Sequence, residues 1–173
     1  MVAEEGNRRV GGMGNAEIKQ CALDISTWFE RNSGMKSSPA SIASIEGLEK
    51  TLGNELPIGM SLLLEKADGG IWFYERCGLS VDDISKHVDK FRMPDGVVPF
   101  ASDVDGNLYV CDTTKRDAVF DWDSDGRGGE VSGNLNDFLE RLRDDLLSNK
   151  FEFVEDVGIV EGVGGGESKG GGK

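Results

Sequence analysis

The chain has 173 residues, 38% of them apolar, with 25 glycines, and its 19 basic and 32 acidic residues leave a net charge of −13. That length suits one domain with ragged ends better than two. The charge excludes functions that hold phosphate backbones or anionic membranes, because the chain repels both, and it makes a protein with a basic surface the natural partner.

In chain order, residues 1–14 are glycine-rich and nearly devoid of large side chains, so they cannot offset the entropy lost on ordering and should be a flexible segment. From Asn15 to Asn32, Ile18, Cys21, Ala22, Ile25, Trp28 and Phe29 recur at steps of three and four, which predicts a helix with one apolar face. A second helix is expected from Ser41 to Leu52, with Ile45, Leu48 and Leu52 on one stripe and Gly53 as its stop. Pro57 then opens a third helix carrying Leu62, Leu63 and Leu64 until Asp68-Gly69-Gly70 breaks it.

Beyond Gly70 the pattern turns toward strands. Ile71-Trp72-Phe73-Tyr74 is short, aromatic and β-prone. Ser80-Val81-Asp82-Asp83 reads as a capping box, with Asp83 in the usual glutamate position, opening a brief helix through Ile84 and Val88. After the turn Pro94-Asp95-Gly96, β-like segments follow at Val97–Ala101, Leu108–Asp112, Ala118–Trp122 and around Glu130-Val131. Connections this short leave no room for parallel crossovers, so the sheet should be an antiparallel meander. Asn134 to Leu147 places Leu135, Phe138, Leu139, Leu142 and Leu146 on one helical face, and Phe151, Phe153 and Val157 suggest an added edge strand. The order of elements is α+β, with helices packed against the antiparallel sheet. A single domain at 15–157 is therefore expected, followed by a disordered glycine-rich tail at 158–173.

The three cysteines, Cys21, Cys77 and Cys111, have no CxxC spacing and fit buried thiols in a reducing compartment. The N-terminal stretch lacks the apolar segment of a secretory signal, and no run of about 18 apolar residues could cross a bilayer. A cytosolic or nuclear location is the expectation.

One stretch invites a metal reading. Asp121, Asp123, Asp125 and Gly126 match positions one, three, five and six of an EF-hand calcium loop. Position twelve, where the bidentate glutamate belongs, is Ser132, and Val119, Phe120 and Trp122 precede the loop with strand-forming residues where a helix is required. A hairpin turning at Ser124-Asp125-Gly126 accounts for the same residues without a metal. Asp103-Val104-Asp105-Gly106-Asn107 reads as a second hairpin tip.

Catalytic constellations are equally sparse. His87, the single histidine, lies among Asp82, Asp83 and Asp89, and no GxSxG, HExxH or phosphate-binding glycine loop occurs. No cofactor and no catalytic residue is assigned. The aspartates leave open two alternatives, a calcium-binding protein acting through 121–126 and an aspartate-based hydrolase. The second of these demands a concave pocket with two converging carboxylates.

From about Ser44 to Leu146 the chain resembles the SUKH superfamily, which includes the fungal Smi/Knr cell-wall synthesis regulators and many bacterial toxin-immunity proteins. Four pieces carry the resemblance in the family's order. They are Ile45-Glu46-Gly47-Leu48-Glu49-Lys50-Thr51-Leu52-Gly53 with Leu56-Pro57, then Asp68-Gly69-Gly70-Ile71-Trp72. Next comes Val98-Pro99-Phe100-Ala101-Ser102-Asp103 with Asp105-Gly106-Asn107 and Asp112, and last Val119-Phe120-Asp121-Trp122-Asp123 before Asn136-Asp137-Phe138-Leu139. The chain departs from the pattern after Leu56-Pro57, where Ile58-Gly59-Met60-Ser61 replaces the usual aromatic or polar residues, and the helix from Asn15 to Asn32 lies outside it. The resemblance implies an α+β domain used for protein binding, as a regulator or an immunity protein, and not for catalysis. Asp103, Asp105, Asp121, Asp123 and Asp125 are the candidates for contacting a basic partner, with Trp72 and Trp122 as candidate anchors.

Overall fold

The computed structural model describes residues 14–35 and 38–162. The apolar spacing of the first segment forms helix α1 (Asn15–Asn32), which turns Ile18, Cys21, Ala22, Ile25 and Phe29 inward. In α2 (Ile42–Leu52), Ser41 caps the start by accepting the Ser44 N–H at 3.0 Å, and a left-handed Gly53 ends the helix. Pro57 precedes α3 (Ile58–Lys66). The residues that depart from the family pattern have a packing reason here. A β-carbon on Gly59 would stand 2.6 Å from a Leu139 methyl, so the glycine permits close approach of α3 to the last helix.

The strands follow as β1 (Trp72–Phe73) and β2 (Arg76–Gly78), then helix α4 (Val81–Phe91), β3 (Val97–Ser102), β4 (Leu108–Asp112), β5 (Ala118–Asp123) and β6 (Gly126–Ser132). They form one six-stranded sheet in chain order, every neighbouring pair antiparallel, which is the expected meander. Asp68 and Ser80 together start α4: Asp68 accepts the Val81 N–H at 2.8 Å and Ser80 accepts the Asp83 N–H at 3.1 Å. The Asp-Gly-Gly motif thus ties the end of α3 to the beginning of α4.

Helix α5 (Leu135–Leu147), capped by Asn134, buries Leu135, Phe138, Leu139, Leu142 and Leu146 against the sheet. Each such side chain contributes about 1.5–3 kcal/mol on leaving water. Phe138 sits at the centre of a ring cluster, with centroids 5.4 Å from Tyr109, 5.9 Å from Phe100 and 6.2 Å from Phe73. Val98, Phe100, Tyr109, Cys111 and Val119 face this main core, beneath α1, α3 and α5. The other sheet face carries a smaller cluster of Val97, Leu108 and Val110 with Met93, flanked by half-buried Phe91, Phe120 and Trp122.

Arg76-Cys77-Gly78, which shows no strand-like pattern, forms β2 because Cys77 and Gly78 pair with Ser102 and Ala101 of β3. Two expectations at the C-terminal end need correction. The tail does not begin at 158, and Phe151 and Phe153 do not extend the main sheet. Instead β7 (Phe151–Val154) and β8 (Gly158–Glu161) make a separate hairpin. Packing holds it: the Phe153 ring lies 6.3 Å from Phe29 and 6.2 Å from Trp72, Ile159 is buried, and its N–H donates to the Tyr74 carbonyl at 3.0 Å. Gly158 has φ +115°, and any side chain there would overlap that same carbonyl oxygen. Of the segments expected to be flexible, 1–14 and 158–173, residues 1–13 and 163–173 lie outside the described residues. Among the described residues, no helix is long and apolar enough to cross a membrane.

Candidate functional site

The strand register brings three turns to one end of the sheet. Cys77 faces Ser102, Ser102 faces Leu108, and Leu108 faces Trp122, so the β1–β2 turn, the β3–β4 loop and the β5–β6 turn are neighbours. The β7–β8 hairpin adds a fourth tip, since Gly158 presses on Tyr74 and Glu75 in the β1–β2 turn. Glu75, Asp105, Asp123, Asp125, Glu155 and Asp156 are all exposed at this end. Val104, 88% exposed, projects among them.

Beneath the tips lies Arg76, whose side chain is only 11% exposed. Its Nη1 donates to Asp121 Oδ1 and to the Leu108 carbonyl, both at 2.7 Å. The guanidinium carbon stands 4.2 Å above the Tyr109 ring. Nε lies 3.7 Å from Asp103 Oδ2 and 3.8 Å from Glu75 Oε2; it is buried and makes no hydrogen bond. Burial pushes the Tyr109 phenol up to about 12; nearby Glu75 adds to the rise, while Arg76 opposes it. In the same β1–β2 turn, Tyr74 Oη donates to Asp145 Oδ2 at 2.7 Å and anchors the turn to α5; burial first, and then that bond, raise its pKa.

Local chemistry shapes each tip. Asp103 Oδ1 accepts the Asp105 and Asn107 N–H groups, both at 2.9 Å, closing the β3–β4 loop as an Asx turn. Asp123 Oδ1 accepts the Asp125 N–H at 2.8 Å, and Asp123 pairs directly with Gly126, whose φ of +102°, free of strain only in glycine, returns the chain into β6.

The seven residues singled out from the sequence therefore separate into groups. Asp105, Asp123 and Asp125 reach solvent together at the tips. Asp103 and Asp121 come to the same end but are turned onto Arg76. Trp72 lies half-buried under Phe153 and Gly158, and Trp122 belongs to the small cluster on the opposite sheet face. Arg76 itself was missed, because its partners stand 32 and 45 positions along the chain.

The hairpin reading of 121–126 is the one found. Asp121 points to Arg76 and Asp123 to its own turn, so the three aspartates share no centre. Among the described residues no group of three His, Cys, Asp or Glu side chains could hold a metal ion. A cavity of about 30 Å³ lies in the core, bounded by Met60, Leu64, Ile71, Phe73, Leu79 and Leu135 among others, and its lining carries no ionisable side chain. Asp103 and Asp121 converge with the Arg76 guanidinium between them, and Asp24, Glu140 and Asp144 likewise gather on Arg143.

On the opposite face, Asp112 is buried and pairs with Arg127 at 2.8 Å. Burial would raise its carboxyl, but hydrogen bonds from Thr114 and Arg127 outweigh that effect and hold the pKa below the ordinary 3.8. Burial raises the Cys111 thiol well above 9.0 and pushes Cys21 up to about 11.

Residues 39–141, more than half of the chain, match the model of the SMI1/KNR4 family (SUKH-1), so the chain belongs to that family. A search of curated proteins found no match.

Proposed function

We propose that this member of the SMI1/KNR4 family is a noncatalytic protein-binding module that docks a basic partner through the acidic end of its sheet. The observation that carries the reading is the gathering of hairpin tips whose carboxylates face water while Arg76, the cation set against Asp103 and Asp121, is sunk beneath them. Such an arrangement presents negative potential outward and steers a positive surface toward it. Exposed Val104 supplies an apolar contact at the centre of the charges. The net charge of −13 extends the same field over the molecule. The reading places the domain in the cytosol or nucleus and assigns it no catalytic residue; regulation and toxin neutralisation are both roles that one such scaffold can serve.

The test is affinity capture from a lysate of the source, with wild type and with an Asp105→Asn, Asp123→Asn, Asp125→Asn variant. Runs at about 0.1 M and about 0.5 M salt separate screened from unscreened contacts. Capture of a defined basic protein that weakens with salt and with the triple change is the expected result. A partner indifferent to both would place docking elsewhere on the molecule.

A further inference from the structure

We infer that Arg76 is the positioning residue of the acidic end, holding the hairpin tips at the spacing a partner reads; this rests on the docking reading above. One guanidinium touches four separate stretches of chain. It hydrogen-bonds Asp121 on β5 and the Leu108 carbonyl on β4, faces Asp103 of the β3–β4 loop at 3.7 Å, and faces Glu75 of its own turn at 3.8 Å. The Tyr109 ring below fixes the plane of the fork. No other cation touches Asp103 or Asp121 among the described residues. Without Arg76 those two carboxylates would repel each other, and the β3–β4 loop that Asp103 closes would shift away from the end of β5 that carries Asp121.

Chemistry gives the inference a sign that charge alone cannot reproduce. Arg76→Lys keeps the positive charge but replaces a planar fork by a point ammonium, which cannot span these partners at once. Arg76→Gln removes a positive charge, so by Coulomb attraction alone it should strengthen binding of any cation. Positioning requires that both variants weaken binding of a rigid partner.

The experiment uses the full chain, with hydrogen exchange at the tip amides and titration with two probes. The first probe is a flexible oligolysine peptide, which reads charge; the second is a stapled helical peptide with lysines along one face, which reads spacing. In Arg76→Lys the expected result is faster exchange at Asp105, Asn107 and Asp125, an unchanged affinity for oligolysine, and an affinity for the rigid helix lower by about threefold or more. Asp121→Asn, which leaves the guanidinium in place, guards against a folding defect and should fall between wild type and Arg76→Lys. Unchanged exchange and unchanged affinity in Arg76→Lys, or tighter binding of the rigid probe by Arg76→Gln, would overturn the positioning role alone. Failure of wild type to bind either probe would overturn the docking reading and this inference with it.

Discussion

Arg76 and Arg127 each meet an aspartate on the same sheet, from opposite faces and with opposite burial. At the acidic end the cation is the buried member, 11% exposed, and its partner Asp121 is 46% exposed. On the other face the carboxylate is buried, Asp112 at 3%, and Arg127 is 29% exposed. Desolvation falls on the buried member, so removing its partner strands a charge wherever no other charge is left beside it. Without Arg127, Asp112 keeps only Thr114, whereas without Asp121, Arg76 keeps the Leu108 carbonyl with Asp103 and Glu75 nearby. One pair therefore bears chiefly on stability. The other shapes a surface and leaves carboxylates facing outward.

The largest effect should come from Arg127→Met, which leaves Asp112 buried with only its Thr114 bonds. A loss of about 2–3 kcal/mol in chemical denaturation at neutral pH is expected. The pH dependence sharpens the point. In wild type the folded-state pKa of Asp112 lies below 3.8, so its contribution is present above that value and is lost as pH falls through the lower folded pKa. The gap between wild type and Arg127→Met should accordingly shrink below about pH 4. The Arg127 guanidinium also lies 4.5 Å over the Phe120 ring, and a gap that persists at low pH would mean that this packing, not charge, carries the cost. Asp112→Asn, which keeps shape and the Thr114 contact, should cost about 1–2 kcal/mol by the same measurement.

At the acidic end the mirror change is milder. Asp121→Asn should cost less than about 1 kcal/mol, because the partner lost is half in water and Arg76 keeps the Leu108 carbonyl. Smallest of all, the triple change at Asp105, Asp123 and Asp125 should shift stability by no more than about 0.5 kcal/mol. A cost for Asp121→Asn equal to that for Asp112→Asn would erase the distinction between the two pairs.

Much of the fold was legible because its signals are local. Caps at Ser41, Ser80 and Asn134 sit one residue before their helices, and the apolar spacing of α1 and α5 names the buried face directly. Strand β2 and the β7–β8 hairpin were not legible, since Arg76-Cys77-Gly78 becomes a strand only beside β3, and Phe153 finds its place only between Phe29 and Trp72. The acidic residues divide the same way. Asp103 and Asp123 announce turns through their own sequence neighbours, but nothing near Asp121 or Asp103 indicates that an arginine will lie against them.

The chain's own order of residues settled the helices, the meander and the hairpin at 121–126, because backbone hydrogen bonding and side-chain periodicity act over a few positions. Tertiary structure alone decided which carboxylates stay in water and which are claimed by Arg76 or Arg127. Burial and ion pairing depend on distance in space, and the partners meet only after distant strands have aligned.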